Sequence, residues 1–302
     1  MKIAIFMSTF NGEKYLDKQL NSIYNQKVNG EIIIYIRDDG STDNTISIIR
    51  TWAMKMNIIL YQGENLGPAK SFWRLFTTKE IMADYYAFCD QDDIWDPEKL
   101  QKGITVLQTA KGESLWCSNC RIIDQNDNVV SDRMNDVIPD FSIISQFVCG
   151  TTQGCAMLLN DKLRSCLLEK NISSVPMHDF TIITYAIAIG KIFYDNNPTF
   201  GYRIHNENVI ANEGKTFIGH MSSSINRWFS NKHRNELSSF AENFLKDNMS
   251  YLDKKTINYL NNLFRSRKSI VCRFKIIFNP ETKSLNKRAE WSFKIRVALG
   301  II

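Results

Sequence analysis

Within the first ninety residues, a short apolar run ends abruptly in polar residues four times over. The runs are Ile3–Met7, Ile32–Ile36, Ile58–Tyr61 and Tyr85–Cys89, and they end at Ser8-Thr9, Asp38-Asp39-Gly40-Ser41, Glu64-Asn65-Leu66-Gly67 and Asp90-Gln91-Asp92-Asp93. Helical periodicity fills the gaps: Leu16, Leu20, Ile23 and Tyr24 share one face, Ile46, Ile49, Trp52 and Ala53 another, and a third helix is expected over Pro68–Phe76. Continuous apolar runs this short suit strands covered on both faces, and strand followed by helix, repeated, predicts a parallel sheet with right-handed crossovers. Such a sheet sends the polar end of every strand to one edge, which is where open α/β sheets bind ligands.

The fourth run has the most pointed chemistry. It stops at three carboxylates within four residues, Asp90, Asp92 and Asp93. Carboxylates that close repel one another, and a divalent cation with oxygen ligands is the ordinary way to keep them ionised at neutral pH. The residues thus point to Mg or Mn, while a solvated acidic turn ahead of the helix start at Asp96-Pro97-Glu98 remains the other reading. Two common phosphate cradles are absent. Thr9-Phe10-Asn11-Gly12-Glu13 has a single glycine where a dinucleotide fold carries G-x-G-x-x-G, and no Walker sequence occurs.

Ser8-Thr9-Phe10-Asn11-Gly12-Glu13 with Leu16, Asp38-Asp39-Gly40-Ser41-Thr42-Asp43, Asn65-Leu66-Gly67 and Asp90-Gln91-Asp92-Asp93-Ile94-Trp95, in this order and spacing, resemble the family 2 glycosyltransferases with the GT-A fold. The form Cys-Asp-Gln-Asp-Asp-Ile-Trp is similar to rhamnosyltransferase-like members that build bacterial surface polysaccharides. The resemblance implies an α/β fold, a Rossmann-like mixed sheet with helices on both faces, a nucleotide-sugar donor and a Mn or Mg cofactor. It implies donor contacts from Thr9, Asn11, Glu13, Asp38, Asp39, Asn65, Gly67, Asp90 and Gln91, metal ligation by Asp92, and acceptor contacts from Asp93 and Trp95. From the residues alone, Asp38-Asp39-Gly40 also reads as a β-turn, Asp43 as a helix cap and Asn65-Gly67 as a plain loop.

The middle of the chain should receive the acceptor. Leu115–Ser118 and Arg121–Ile123 are strand-like, Asp124–Asn128 reads as a hairpin turn, and Asp132–Asp140 as an irregular loop. Asn119 stands where related enzymes often carry an acid. Gln153 and Gly154 precede the strand-like Ala156–Leu159 and either touch the acceptor or form a turn. His178-Asp179 opens an apolar helix expected over Thr181–Ile189. An acid there favours the helix dipole by itself, but the resemblance makes Asp179 the base and sets His178 beside the acceptor. A sugar hydroxyl is a weak nucleophile, so a carboxylate must take its proton, and one base with one displacement inverts the anomeric carbon. The resemblance further implies that Tyr202-Arg203-Ile204-His205 closes over the diphosphate, with Arg203 on phosphate and His205 on the metal. Ser224 replaces the glutamine of the processive Q-x-x-R-W pattern ahead of Arg227-Trp228, so a single transfer per binding event is expected.

Charge separates the tail from the rest. Residues 227–302 hold 16 Lys/Arg against 6 Asp/Glu, a net +10, leaving −5 for residues 1–226. With helical patterning from about Ser222 and the basic, amphipathic Trp291–Leu299, this predicts a catalytic domain over 1–220, in halves 1–110 and 111–220, and a basic helical C-terminal region over 221–302. That region either lies on an anionic membrane surface or packs on the catalytic domain as a bundle. No nucleic-acid reader motif accompanies the charge. The seven scattered cysteines, Cys117-Ser118-Asn119-Cys120 included, suit buried thiols in a reducing compartment, and neither a signal peptide nor a membrane span is expected, which together predict a cytoplasmic protein, peripheral on the inner membrane face if the tail binds lipid. The rivals to a glycosyltransferase are a sugar-phosphate nucleotidyltransferase, which would need a glycine-rich basic loop after the first strand, and a non-catalytic nucleotide-sugar-binding or scaffold protein.

Overall fold

The structure is a computed structural model and describes residues 1–204 and 236–302. The expected alternation forms: β1 (Lys2–Thr9), α1 (Leu16–Tyr24), β2 (Glu31–Asp38), α2 (Thr45–Ala53), β3 (Ile58–Gln62), α3 (Pro68–Thr77) and β4 (Tyr85–Cys89). There follow β5 (Ile94–Trp95), α4 (Lys99–Gln108), β6 (Ser114–Ile123), β7 (Val129–Ser131), α5 (Ile143–Cys149), β8 (Met157–Asn160), α6 (Asp161–Glu169), α7 (His178–Ile189) and β9 (Lys191–Arg203). The strands make one mixed sheet in the order β3-β2-β1-β4-β8-β6-β9-β5, with β7 hydrogen-bonded to β6.

Strand β1 lies between β2 and β4, parallel to both, and Ile3, Ala4, Ile5, Phe6 and Met7 are all buried, as both-face coverage by helices requires. The Phe6 ring stacks on Tyr86 at 5.8 Å and meets Phe88 at 5.5 Å and Phe76 of α3 at 6.4 Å, which ties one helical layer to the sheet. Arg164 of α6 is buried beneath this cluster. Its guanidinium donates to the carbonyls of Phe76, Thr78 and Ile81 and lies 4.6 Å from the Tyr86 ring. A cation thus meets the Phe76 carbonyl in the last turn of α3 and the Thr78 carbonyl at its C-cap, a charge-assisted form of C-capping.

Three features position the site. Strand β8 runs antiparallel to β4, pairing Ala87 with Leu158 and Tyr85 with Asn160, so the start of β8 lies beside the end of β4. Helix α7 begins at His178, with Asp179 in its first turn as the sequence pattern has it. Ile94 and Trp95, within a motif expected to form the site, instead pair with Gly201 and Phe200 of β9.

The tail forms α8 (Glu236–Asn248), α9 (Lys254–Arg265), α10 (Ile270–Ile277) and α11 (Lys287–Leu299). Phe240 of α8 meets Phe147 of α5 at 5.8 Å and Phe180 and Tyr185 of α7 at 5.3 and 6.3 Å, and the Tyr185 hydroxyl donates to Asp247 at 2.9 Å. The bundle is therefore packed on the half of the molecule that carries Asp179. The expected boundary at 220/221 and the Ser224, Arg227-Trp228 segment lie outside the described residues.

Candidate active site

Strand direction assembles the site. β1, β2 and β4 are parallel, so Ser8, Asp38-Asp39 and Asp90-Gln91-Asp92 emerge at one edge. The reversed β8 brings Gln153-Gly154-Cys155 to the same edge, the first turn of α7 adds His178-Asp179, and the end of β9 adds Tyr202. All of these except the buried Asp38 and Cys155 line a cleft of about 680 Å³ that also includes Phe10, Asn11, Asn65, Gly67, Pro68, Phe72 and Met177.

One wall is a hydrogen-bonded scaffold. Asp38 is buried: Oδ1 accepts from Gly40 N at 3.2 Å and Ser41 N at 2.9 Å, and Oδ2 accepts from Thr9 Oγ1 at 2.9 Å and Ser41 Oγ at 2.5 Å. Asp39 reaches the cleft, pairs with Arg37, and accepts from Leu66 N at 3.0 Å and Gly67 N at 2.8 Å, which ties the β2 end to the start of α3. Gly67 has φ 80°, a conformation that costs other residues strain. Asn11 sits at φ 47°, and its Oδ1 accepts from Thr42 N at 2.9 Å. Gln91 makes a two-way pair with the Phe10 backbone, accepting at 2.9 Å and donating at 3.1 Å; a Cβ on Gly12 would come within 2.4 Å of Gln91 Oε1.

The opposite wall is acidic. Burial first, then the charges of Asp92 and Asp179, push the Asp90 carboxyl up to about 7. Asp93 is fully buried; Arg203 N donates to its Oδ1 at 3.1 Å, and Oδ2 has no hydrogen-bond partner among the described residues. Burial, with Asp92 and Asp90 nearby, holds Asp93 well above the usual carboxylate range. Ligand atoms of Asp90, Asp93 and Cys155 lie within 4.8 Å of one another. Burial and the two acids push the Cys155 thiol up as well, and a protonated thiol is a soft, poor ligand for a hard cation. The donor set that fits Mg or Mn is oxygen: Asp90 and Asp92, which line the cleft, with the unpartnered Asp93 Oδ2 behind them. A cation there would relieve the repulsion that raises Asp90.

His178 and Asp179, neighbours in sequence, have different surroundings. The His178 ring lies between Phe72 at 4.2 Å and Phe88 at 5.0 Å, and burial lowers its pKa, favouring neutral imidazole. Neither ring nitrogen has a partner among the described residues, and a Cβ on Gly154 would lie 2.5 Å from Nε2, so glycine at 154 makes room for the ring. Asp179 faces the cleft, with Oδ2 accepting from Gly154 N at 3.2 Å and Oδ1 from Phe180 N at 2.6 Å. The two backbone donors fix its orientation.

Six expected contacts are redirected, that of Asp93 among them: it is fully buried and does not line the cleft, so the acceptor contact expected of it is not available. Arg203 does not face the cleft: Nε donates to the Asp92 carbonyl and Nη1 to the Asp124 carbonyl, each at 2.7 Å, Nη2 pairs with Asp127 at 2.6 Å, and the side chain is fully buried. It braces the main chain of the acidic loop instead of holding phosphate. Trp95 is buried away from the cleft beside Lys99, whose Nζ lies 5.1 Å from its ring, so the acceptor contact expected of it is not available. Thr9 and Asp38 are buried and committed to each other, and Glu13 Oε2 accepts from Asn44 N at 2.9 Å, holding the start of α2. These three shape the wall. His205 lies outside the described residues. Arg203→Met is expected to lower unfolding free energy by about 2–3 kcal/mol, below the range for a fully buried pair because Asp127 is 32% exposed, and a urea midpoint reads the loss.

Sequence reasoning gave Tyr202 no role of its own within the segment Tyr202–His205 and passed over Phe72, Met177 and Cys155. Tyr202 had a local signal: neighbours on a strand face opposite ways, so if Arg203 braces the loop from one face, Tyr202 presents the other. The remaining three are apolar or thiol residues that no pattern separates from core.

A profile of glycosyl transferase family 2 matches residues 4–157, just over half the chain. The chain belongs to this family. It is 28% identical over 275 residues to the dTDP-rhamnosyl transferase RfbG of Shigella flexneri, covering 85% of this chain and 90% of that one. Its fold superposes on the Staphylococcus aureus TarS structure in complex with UDP-GlcNAc with a TM-score of 0.62 at 17% identity, over 99% of this chain and 82% of that one. The mannosyltransferase PcManGT of Pyrobaculum calidifontis, in complex with GDP-Man and Mn2+, superposes with a TM-score of 0.53 at 14% identity, over 98% and 80%. The sheet and its helices are thus the GT-A fold, with C-terminal helices appended, and the chain is a family 2 glycosyltransferase.

Proposed function

We propose that the chain moves one sugar per binding event from dTDP-rhamnose or a UDP-sugar to a glycan or lipid-linked glycan acceptor in O-antigen or capsule assembly, with inversion at the anomeric carbon. The observation that carries the reading is the convergence of Asp90, Asp92 and Asp179 on one cleft from separate parts of the chain. Residues 1–220 are taken as the catalytic domain and 221–302 as its appendage. Asn11, Asp39, Asn65 and Gly67 hold base and ribose on one wall. Asp90 and Asp92 hold Mn or Mg, which when bound supplies positive charge against the departing nucleoside diphosphate. Asp179, oriented by Gly154 N, takes the proton of the acceptor hydroxyl while that oxygen attacks the anomeric carbon from the side opposite the leaving group. His178 and Gln153 border the acceptor side, and buried Asp93 supports the loop from behind through Arg203 N.

The rhamnosyl name of the Shigella flexneri relative supports the dTDP-rhamnose option, and the donors in the two superposed structures keep other nucleotide sugars in play. The reaction is placed on the cytoplasmic side of the cell membrane, in keeping with seven cysteines that are all unbridged. No helix among the described residues is long and apolar enough to cross a membrane. Donor hydrolysis across a panel of dTDP-rhamnose, UDP-glucose, UDP-GlcNAc and GDP-mannose, with Mn or with EDTA, tests the reading. Cation-dependent release of nucleotide from dTDP-rhamnose or a UDP-sugar is expected; release that is indifferent to the cation would remove the metal from the reaction.

A further inference from the structure

Between α9 and the C-terminus the molecule exposes apolar side chains that the catalytic fold does not use. On α10, Ile270, Val271 and Phe274, with Phe278 just past its end, fall on one face, and they are 65%, 63%, 57% and 74% exposed. The Phe274 and Phe278 rings stack on each other at 5.9 Å with planes 5° apart, presenting a flat aromatic pair to solvent. On α11, Trp291, Ile295 and Leu299 recur every fourth residue and are 66%, 44% and 49% exposed, while Phe293 and Val297 of the same helix are buried. Leu285, on the connection between the two helices, is 75% exposed. Single exposed apolar residues need no explanation, but two adjoining helices each turning an apolar face outward do.

The charges around these faces have one sign. Residues 266–302 carry nine Lys/Arg against two Glu, a net +7. Both glutamates are already paired, Glu281 with Lys255 at 2.9 Å and the buried Glu290 with Lys287 at 3.0 Å and Lys294 at 2.7 Å. Lys268, Lys275, Lys283 and Arg288 are exposed. An apolar face with Trp and Phe at its centre and Lys/Arg at its border is the pattern of a surface that enters the headgroup region of an anionic bilayer, with the rings below the phosphates and the cations among them. A second copy of the chain fits less well, because a self-complementary contact would press like-charged lysines together and interfaces are depleted in lysine.

We infer that the outward faces of α10 and α11 form a docking surface for an anionic lipid bilayer, with Phe274, Phe278 and Trp291 as its inserting residues and Lys275 and Arg288 among its phosphate contacts. The inference rests on the proposed lipid-linked acceptor for its purpose but not for its evidence. It makes α10 a full partner of α11, although sequence alone points to Trp291–Leu299. The bundle holding these helices is packed through Phe240 on α7, the helix that carries Asp179, so docking would set the acceptor side of the cleft in a fixed relation to the membrane.

Flotation of the full chain tests this with vesicles of phosphatidylcholine alone and of phosphatidylcholine with phosphatidylglycerol. The parent is expected to float with the anionic vesicles at low salt and to lose most of that binding at high salt. Phe274→Ser with Phe278→Ser, and separately Lys275→Glu with Arg288→Glu, are each expected to lower the bound fraction at least about tenfold. Circular dichroism melts should stay unchanged, since all four side chains are exposed. No flotation of the parent at low salt, or an aromatic double variant that floats like the parent, overturns the inference. So does concentration-dependent self-association in gel filtration that the aromatic variant abolishes while the parent ignores vesicles. Nucleotide calorimetry on the same preparations separates the two readings: a chain that binds nucleotide but no vesicle keeps the transferase reading and loses this surface, and the reverse outcome does the opposite.

Discussion

Asp179→Asn is expected to bind nucleotide within about twofold of the parent and to transfer sugar about 10²- to 10⁴-fold more slowly, the usual contribution of a positioned general base. The substitution keeps the shape and leaves one oxygen to accept from Gly154 N or Phe180 N, so the start of α7 should be undisturbed. What disappears is the capacity to take a proton. Because the base acts on the acceptor, the defect should fall on kcat with little change in donor KM, and slow donor hydrolysis by water should fall along with transfer. Initial rates over a donor series read both parameters. Transfer retained at the parental rate would remove Asp179 as the base and return it to the bland role of an acid favouring a helix dipole.

The second large effect belongs to Asp92. Asp92→Asn removes a carboxylate from a cleft where burial first, and then the charges of Asp92 and Asp179, hold Asp90 at about 7. In apo protein, fewer repelling charges should leave folding stability unchanged or slightly improved. Affinity for Mn should instead fall by about a hundredfold or more, since charge and ligand are lost together, and kcat by about 10²–10³ where the cation offsets leaving-group charge. The combination of undiminished stability with collapsed cation affinity is diagnostic: a purely structural acid would show the opposite. Thermal melts with EDTA and with Mn, beside Mn titrations, measure the two sides. Asp92→Asn that binds Mn and turns over donor like the parent would show the metal assignment to be wrong.

The parts of the fold visible in the sequence are those governed by local periodicity. Ile3–Met7, Ile32–Ile36 and Tyr85–Cys89 read as buried strands because helices cover both faces, and their polar ends had to share an edge once the strands were parallel. The second half resisted the same treatment. Whether Gln153-Gly154 formed a mere turn or a wall of the cleft depended on β8 pairing antiparallel to β4, and nothing within Met157–Asn160 encodes a direction. Arg203 shows the limit from the other side. Its residue type and place suggested phosphate, yet the three acceptors that claim it come from two loops distant from it in the chain, one holding Asp92 and the other Asp124 and Asp127. A cation's partner is a tertiary fact. Trp95 is similar, its side chain withdrawn into the core by the pairing of β5 with β9.

The tail was legible as helical and basic, but which of its apolar residues are packed was not. Phe240, Phe244, Leu260 and Leu263 are buried in packing, whereas Phe274, Phe278 and Trp291 remain outside. Helical periodicity identifies an apolar stripe but not its partner, so both sets look alike in sequence.

The most direct measurement concerns the acidic edge itself: calorimetric titration of UDP and dTDP into the parent chain and Asp92→Asn, each with Mn and with EDTA. Tight binding only for the parent with Mn, and weak binding in the other three combinations, is the expected result. Nucleotide affinity that is equal with Mn and with EDTA in the parent would contradict the idea that these carboxylates gather a cation to meet the diphosphate.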